Sequence, residues 1–69
     1  MRFTIETETE EDGRWIAEIA ELPGVMQYGR SRDEAIARAE ALALRVLAER
    51  IETGDRPAEP IEITFAPAA

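Results

Sequence analysis

One run of the chain, Ser31 to Gly54, constrains everything else, because it reads as a single long helix and takes up about a third of the 69 residues. Its entry, Ser31-Arg32-Asp33-Glu34, is a capping box: the Ser31 hydroxyl accepts from the Glu34 amide and the Glu34 carboxylate reaches back toward the cap. Asp33 and Glu34 also complement the positive end of the helix dipole. Beyond the cap, Ala35, Ile36, Ala39, Leu42, Ala43, Val46, Leu47 and Ile51 recur at steps of one, three and four, an apolar stripe wide enough to cover a sheet. Arg38, Arg45, Glu49 and Glu52 fall on the opposite side. The pattern predicts a helix over Arg32–Glu52, roughly 30 Å long, and the alanines at 35, 39 and 43 let it lie close to its support. Gly54 suits the residue just past the helix end, and Pro57 and Pro60 prevent continuation.

The support is supplied by strands. From Arg2 to Glu10, Phe3, Ile5, Thr7 and Thr9 alternate with Arg2, Thr4, Glu6 and Glu8, the period of two that marks a strand. Glu11-Asp12-Gly13 carries turn chemistry, and Arg14 to Ala20 alternates again, with Trp15, Ala17 and Ile19 on one face and Ile16, Glu18 and Ala20 on the other. These two runs form a hairpin. Leu22-Pro23-Gly24 turns the chain into a short third strand, Val25-Met26-Gln27-Tyr28, which Gly29-Arg30 ends. After the helix, Ile61, Ile63 and Phe65 alternate with Glu62 and Thr64 as a fourth strand before an Ala/Pro tail.

The order strand, strand, strand, helix, strand makes an α+β fold. A three-stranded meander followed by a helical return places the fourth strand parallel to the first by the usual right-handed crossover. The expected sheet is four-stranded and mixed, in the order 3-2-1-4, with the helix on one face. Phe3, Ile5, Trp15, Ala17, Ile19, Ile61, Ile63 and Phe65 are expected beneath the helix. The other face then carries Arg2, Thr4, Glu6, Glu8, Ile16, Glu18, Glu62 and Thr64, an acidic and lightly apolar surface of the kind an antiparallel sheet can leave in water.

Size and composition narrow the function. Residues 1–69 are read as one domain, and a chain this short buries only about 60% of the surface its unfolded form exposes. Small folds compensate with disulfides, metals or association. This one has no Cys and no His, which leaves association, with itself or with a partner. No apolar run resembles a signal peptide or approaches the roughly 20 residues of a membrane span, so the chain is read as cytoplasmic with no membrane role. Fifteen acidic against eight basic residues give a net charge of −7. Such a surface repels nucleic-acid phosphates and draws in a basic protein.

The same composition argues against an enzyme. Without His, Cys or Lys, the common general bases, thiol nucleophiles and Schiff-base formers are missing, and cysteine–histidine zinc sites are impossible. The single serine, Ser31, serves as the helix cap. Gly13, Gly24, Gly29 and Gly54 sit at separate turns and build no phosphate cradle. Trp15 and Tyr28 are isolated aromatics of the sort found in cores and interfaces. The one catalytic alternative is a divalent-metal nuclease holding Mg²⁺ or Ca²⁺ on Glu6, Glu8 and Glu62 across the first and fourth strands; in a chain of twelve glutamates a solvated face is the stronger reading. No cofactor, metal or catalytic residue is expected. The partner-binding residues are read as Glu6, Glu8, Ile16, Glu18 and Glu62. The nearly uncharged edge Val25, Met26, Gln27 and Tyr28 is the expected contact of a homodimer, and Pro67 is expected to discourage pairing at the fourth strand.

Asp12-Gly13-Arg14-Trp15-Ile16-Ala17-Glu18-Ile19, then Glu21-Leu22-Pro23-Gly24-Val25, then Gly29-Arg30-Ser31 and Glu34-Ala35, resembles the HicB-like antitoxin domain. The family shows an aromatic-x-Ala strand, a Leu-Pro-Gly turn, a Gly-x-Thr/Ser helix entry and a Glu-Ala helix start. The resemblance runs from the first strand through the helix. It implies a truncated ribonuclease H-like fold without that fold's active site. It also implies the antitoxin of a type II toxin–antitoxin system, which neutralises a small basic RNA-cleaving toxin of the HicA type by protein–protein contact. Ala20 stands where a Pro is often found before the Leu-Pro-Gly turn. The C-terminal DNA-binding module common in full-length members is not expected within these 69 residues, so no direct nucleic-acid contact is carried over. The alternative is a self-associating structural or regulatory domain, dimeric or larger, with no toxin partner.

Overall fold

In the computed structural model, which describes residues 1–54 and 60–68, the elements are β1 (Arg2–Thr9), β2 (Trp15–Ile19), β3 (Met26–Gly29), α1 (Arg32–Glu52) and β4 (Thr64–Pro67). They build one four-stranded mixed sheet in the order β3-β2-β1-β4, with β1–β2 and β2–β3 antiparallel and β1–β4 parallel. This is the α+β topology that the strand and helix patterns predict. Pro57 lies outside the described residues.

The helix occupies the expected span. Ser31 is extended (φ −133°, ψ 165°) and its hydroxyl accepts from the Glu34 amide at 3.1 Å. The return half of the capping box lands one residue early: Glu34 Oε1 accepts from the Arg30 amide, also at 3.1 Å. At the far end Thr53 donates its amide to Glu49, and Gly54, at φ 95°, donates to Ile51. That left-handed turn is why a glycine follows the helix.

Ala35, Ala39, Ala43 and Leu47 form the buried row of α1, with Ile36, Leu42 and Val46 packed at its margins. Beneath lie Ala17 and Ile19, both fully buried, with Phe3, Ile5, Leu22 and Val25. The helix sits over β2 and β3 and only grazes β1. Its closest approach is at Gly29, where an added Cβ would stand 2.4 Å from the Ala35 amide nitrogen and 2.9 Å from its Cα. Gly29 has an ordinary φ; it is there for space, not for a turn. The chain end of β3 and the first turn of α1 meet backbone to backbone through this missing side chain.

Because α1 is displaced toward β3, the β1–β4 side closes its core differently from the expectation of a helix over the whole sheet. Phe3 and Phe65 pack ring against ring, 5.6 Å between centroids at 30°, with Ile63 half-buried beside the core. Ile61, expected under the helix, is instead 37% exposed. The fourth strand also starts later than the alternation suggested. Its register pairs Arg2 with Thr64 and Ile5 with Pro67, so Ile61 lies past the end of the first strand, and Glu62 reaches only Met1, whose ammonium donates to its carbonyl. Thr64 and Ala68 donate their amides to Met1 and Ile5 at 2.9 and 2.8 Å. Even-numbered residues therefore face β1, and Pro67 turns its donorless nitrogen to the outer edge, one of the few places in a sheet where proline is tolerated.

Where β2 ends, a side chain prolongs the ladder. Ala20 donates to the Thr4 carbonyl at 3.0 Å, and the chain then turns away at Leu22-Pro23-Gly24. The Glu21 carboxylate fills the vacated position, accepting from the Thr4 amide at 2.7 Å and the Thr4 hydroxyl at 2.8 Å.

Candidate functional site

The helix covers one face of the sheet, so the opposite face is the large organised surface left to solvent. Its composition follows from register alone, because paired residues project to the same side. Glu6 stands opposite Glu18, Glu8 opposite Ile16, Ile16 opposite Tyr28 and Glu18 opposite Met26. Four of the residues read from sequence as partner-binding, Glu6, Glu8, Ile16 and Glu18, are thus brought together. With Thr7 and Met26 they line a half-open depression of about 220 Å³.

Ile16 is the unusual member. It is only 9% exposed yet stands apart from the core cluster under the helix. Its cover comes from its neighbours on the open face, with Glu8 on one side and Tyr28 on the other. The floor is apolar and the rim is acidic.

The rim is also unbalanced. Two glutamates directly opposite one another on adjacent strands repel, a cross-strand arrangement that destabilises a sheet. Among the described residues the ion pairs are Arg14–Asp12 at 2.7 Å and Arg38–Glu34 at 3.5 Å; neither touches Glu6, Glu8 or Glu18. Arg14, the cation nearest in the strand pattern, is held at the hairpin end. Its backbone amide and its Nε both donate to Asp12, at 3.0 and 2.7 Å, while its guanidinium lies 4.4 Å over the Tyr28 ring. These bonds from Arg14, the backbone amide first, hold the Asp12 carboxyl below its ordinary value. Glu21 is likewise lowered, chiefly by the Thr4 amide and then by the Thr4 hydroxyl.

Glu62 does not belong to this surface. The parallel pairing places it six strand positions from Glu6, about 20 Å along β1 at roughly 3.3 Å per residue, and its carbonyl accepts from the N-terminal ammonium of Met1. The Glu6–Glu8–Glu62 constellation of the metal-nuclease reading is therefore not assembled. Among the described residues no three acidic groups gather closely enough to hold a metal ion.

The residues expected at the β3 edge divide in two. Val25 is buried in the core, its amide donating to Leu22 and its carbonyl accepting from Ile19, each at 3.0 Å. It offers nothing to the edge, and the strand proper begins one residue later. Met26 and Tyr28 are exposed, and Gln27 is half-buried on the helix side. The sequence pattern missed Met26 as part of the open face, although its parity with Tyr28 carries that information. No helix among the described residues is long and apolar enough to cross a membrane. Compared with protein-family models, curated proteins and solved structures, the chain has no significant match.

Proposed function

We propose that this chain is a HicB-like, antitoxin-type binding protein of the cytoplasm, with a truncated ribonuclease H-like fold, that neutralises a small basic RNA-cleaving toxin by protein–protein contact and performs no chemistry of its own. The observation that carries the reading is the uncompensated rim of Glu6, Glu8 and Glu18 around the apolar floor of Ile16 and Met26. An RNA-cleaving toxin must present lysines or arginines to hold phosphates. Those side chains fit this surface: their aliphatic stems lie on Ile16 and Met26 while their charges meet the carboxylates. Binding relieves the Glu6–Glu18 repulsion and at the same stroke occupies the cations that would hold RNA. The overall charge of −7 steers a basic partner toward the face and raises its association rate. The strand order 3-2-1-4 with one helix agrees with the topology the family resemblance implies.

The test is co-expression with the product of the adjacent reading frame, which this reading expects to be a short basic protein. Relief of growth arrest together with a co-purifying complex is the expected result. A Glu8→Lys/Glu18→Lys double variant should stay folded and lose both. Full rescue by that variant, or a neighbouring frame whose product neither arrests growth nor binds, would defeat the reading.

A further inference from the structure

We propose that β3 pairs antiparallel with β3 of a second copy of this chain, about a two-fold axis at Gln27, joining two four-stranded sheets into one of eight strands. This goes beyond the toxin-binding reading and does not depend on it.

The backbone sets the geometry. Ile19 donates its amide to the Val25 carbonyl, and in an antiparallel ladder the direction of backbone groups alternates. Val25, Gln27 and Gly29 therefore turn their peptide groups toward β2, and Met26 and Tyr28 turn theirs to the free edge. The only hydrogen bond from a side chain at that edge among the described residues is from Arg38 Nη1 to the Tyr28 carbonyl, at a long 3.4 Å. The strand has no charge and no proline, the devices that usually protect an edge. The β4 edge is protected: Pro67 faces outward there without a donor.

Three symmetric registers use outward-facing residues, and two are poor. An axis at Met26 would require Gly24, whose φ of 87° is far from extended. An axis at Tyr28 would bring in Arg30, beyond the strand end and bound to Glu34 through its amide. An axis at Gln27 uses all of β3: Met26 exchanges both backbone bonds with Tyr28 of the partner subunit, and Tyr28 with the partner's Met26. It also sets these two side chains, 38% and 40% exposed in the single chain, against one another on the open face, a thioether-to-ring contact of favourable kind. The two Ile16-centred depressions then share one continuous surface, three strand spacings apart, or about 14 Å.

The chain contains no cysteine, which allows a direct test on the full-length protein. At the proposed axis the two Gln27 residues form a pair without ladder bonds, with Cα atoms at about 4.5 Å, inside disulfide range. Gln27→Cys should cross-link to a covalent dimer on mild oxidation, whereas Glu62→Cys should not. In sedimentation equilibrium the unmodified chain should approach twice its single-chain mass as concentration rises. Met26→Pro, which deletes an outward donor and no ladder bond to β2, should hold it at the single-chain mass with an unchanged far-ultraviolet spectrum. Met26→Lys should do the same through charge. A chain that stays monomeric at millimolar concentration would overturn the proposal. So would a dimer that survives Met26→Pro and Met26→Lys and fails to cross-link through Gln27→Cys. Failure of the unmodified, dimeric chain to bind a toxin would count against the open-face reading alone.

Discussion

The two faces of the sheet are built from the same strands by the same alternation, yet they solve opposite problems. The covered face packs Ile5, Ala17 and Ile19 against an alanine row and reaches backbone contact at Gly29. The open face sets Glu6 against Glu18 and buries Ile16 without a helix above it. One face is optimised for the chain itself. The other is left with repulsion and a half-open apolar floor that a second molecule can resolve. Substitutions should therefore separate the faces: on the covered side they chiefly change stability, and on the open side they change binding, with a smaller loss of stability at the apolar floor and a gain at the acidic rim.

The largest effect is expected at Ile19. Ile19→Ala should lower unfolding free energy by about 3 kcal/mol in urea titration. Ile16→Ala, three residues earlier on the same strand and on the other face, should cost only about 1–2 kcal/mol because no helix packs over it. Equal losses at the two positions would erase the distinction. Next comes Gly29→Ala, about 2 kcal/mol, since the clash is with backbone and no side chain can rotate away. For a chain of this size such losses are a large share of the total.

A smaller effect of opposite sign is expected on the open face. Glu18→Gln removes the charge opposing Glu6 and should raise stability by about 0.5 kcal/mol, while weakening binding of a basic partner. A clear loss of stability would mean that the rim supports the fold.

The smallest effect is a pH dependence at the end of β2. Glu21 has its carboxyl lowered by the Thr4 amide and hydroxyl, so the folded state holds its proton less tightly than the unfolded chain. Its contribution is fully present above the ordinary glutamate range and is lost as pH falls through the lowered folded value. Glu21→Gln should flatten the acid limb of the stability profile by lowering stability slightly at neutral pH, while leaving the strongly acidic end nearly unchanged. An acid limb of unaltered slope would remove this carboxylate from the ladder.

What could be read from residues alone followed from how local each signal is. The helix bounds are written in adjacent residues, Ser31 through Glu34 and Gly54, and the strand order follows from the meander plus one crossover; these agree with the structure. The register of β4 is not local. Alternation at Ile61–Phe65 is satisfied equally by pairing two residues earlier or later, so it does not show that Ile61 falls past the end of β1 or that Glu62 reaches only Met1. Parity did bring Glu6, Glu8, Ile16 and Glu18 to one surface, because the hairpin turn ties their register. It could not show that Val25 turns inward, which depends on the Leu22 turn, or that Gly29 is a contact with Ala35, which depends on where the helix settles.

In the proposed function the acidic open face, and not the molecule's charge in general, holds the basic partner. Calorimetric titration of the proposed partner, the product of the adjacent reading frame, into the unmodified chain and into Glu8→Lys/Glu18→Lys tests this directly. Binding to the unmodified chain should be salt-sensitive and should weaken roughly a hundredfold or more in the variant, two reversals at about 1.4 kcal/mol or more each, with the melting curve preserved. A matched control, Glu49→Lys/Glu52→Lys on the exposed side of the helix, changes net charge equally and should bind almost as well as the unmodified chain. Equal weakening by both pairs, or undiminished binding to the open-face variant, would contradict it.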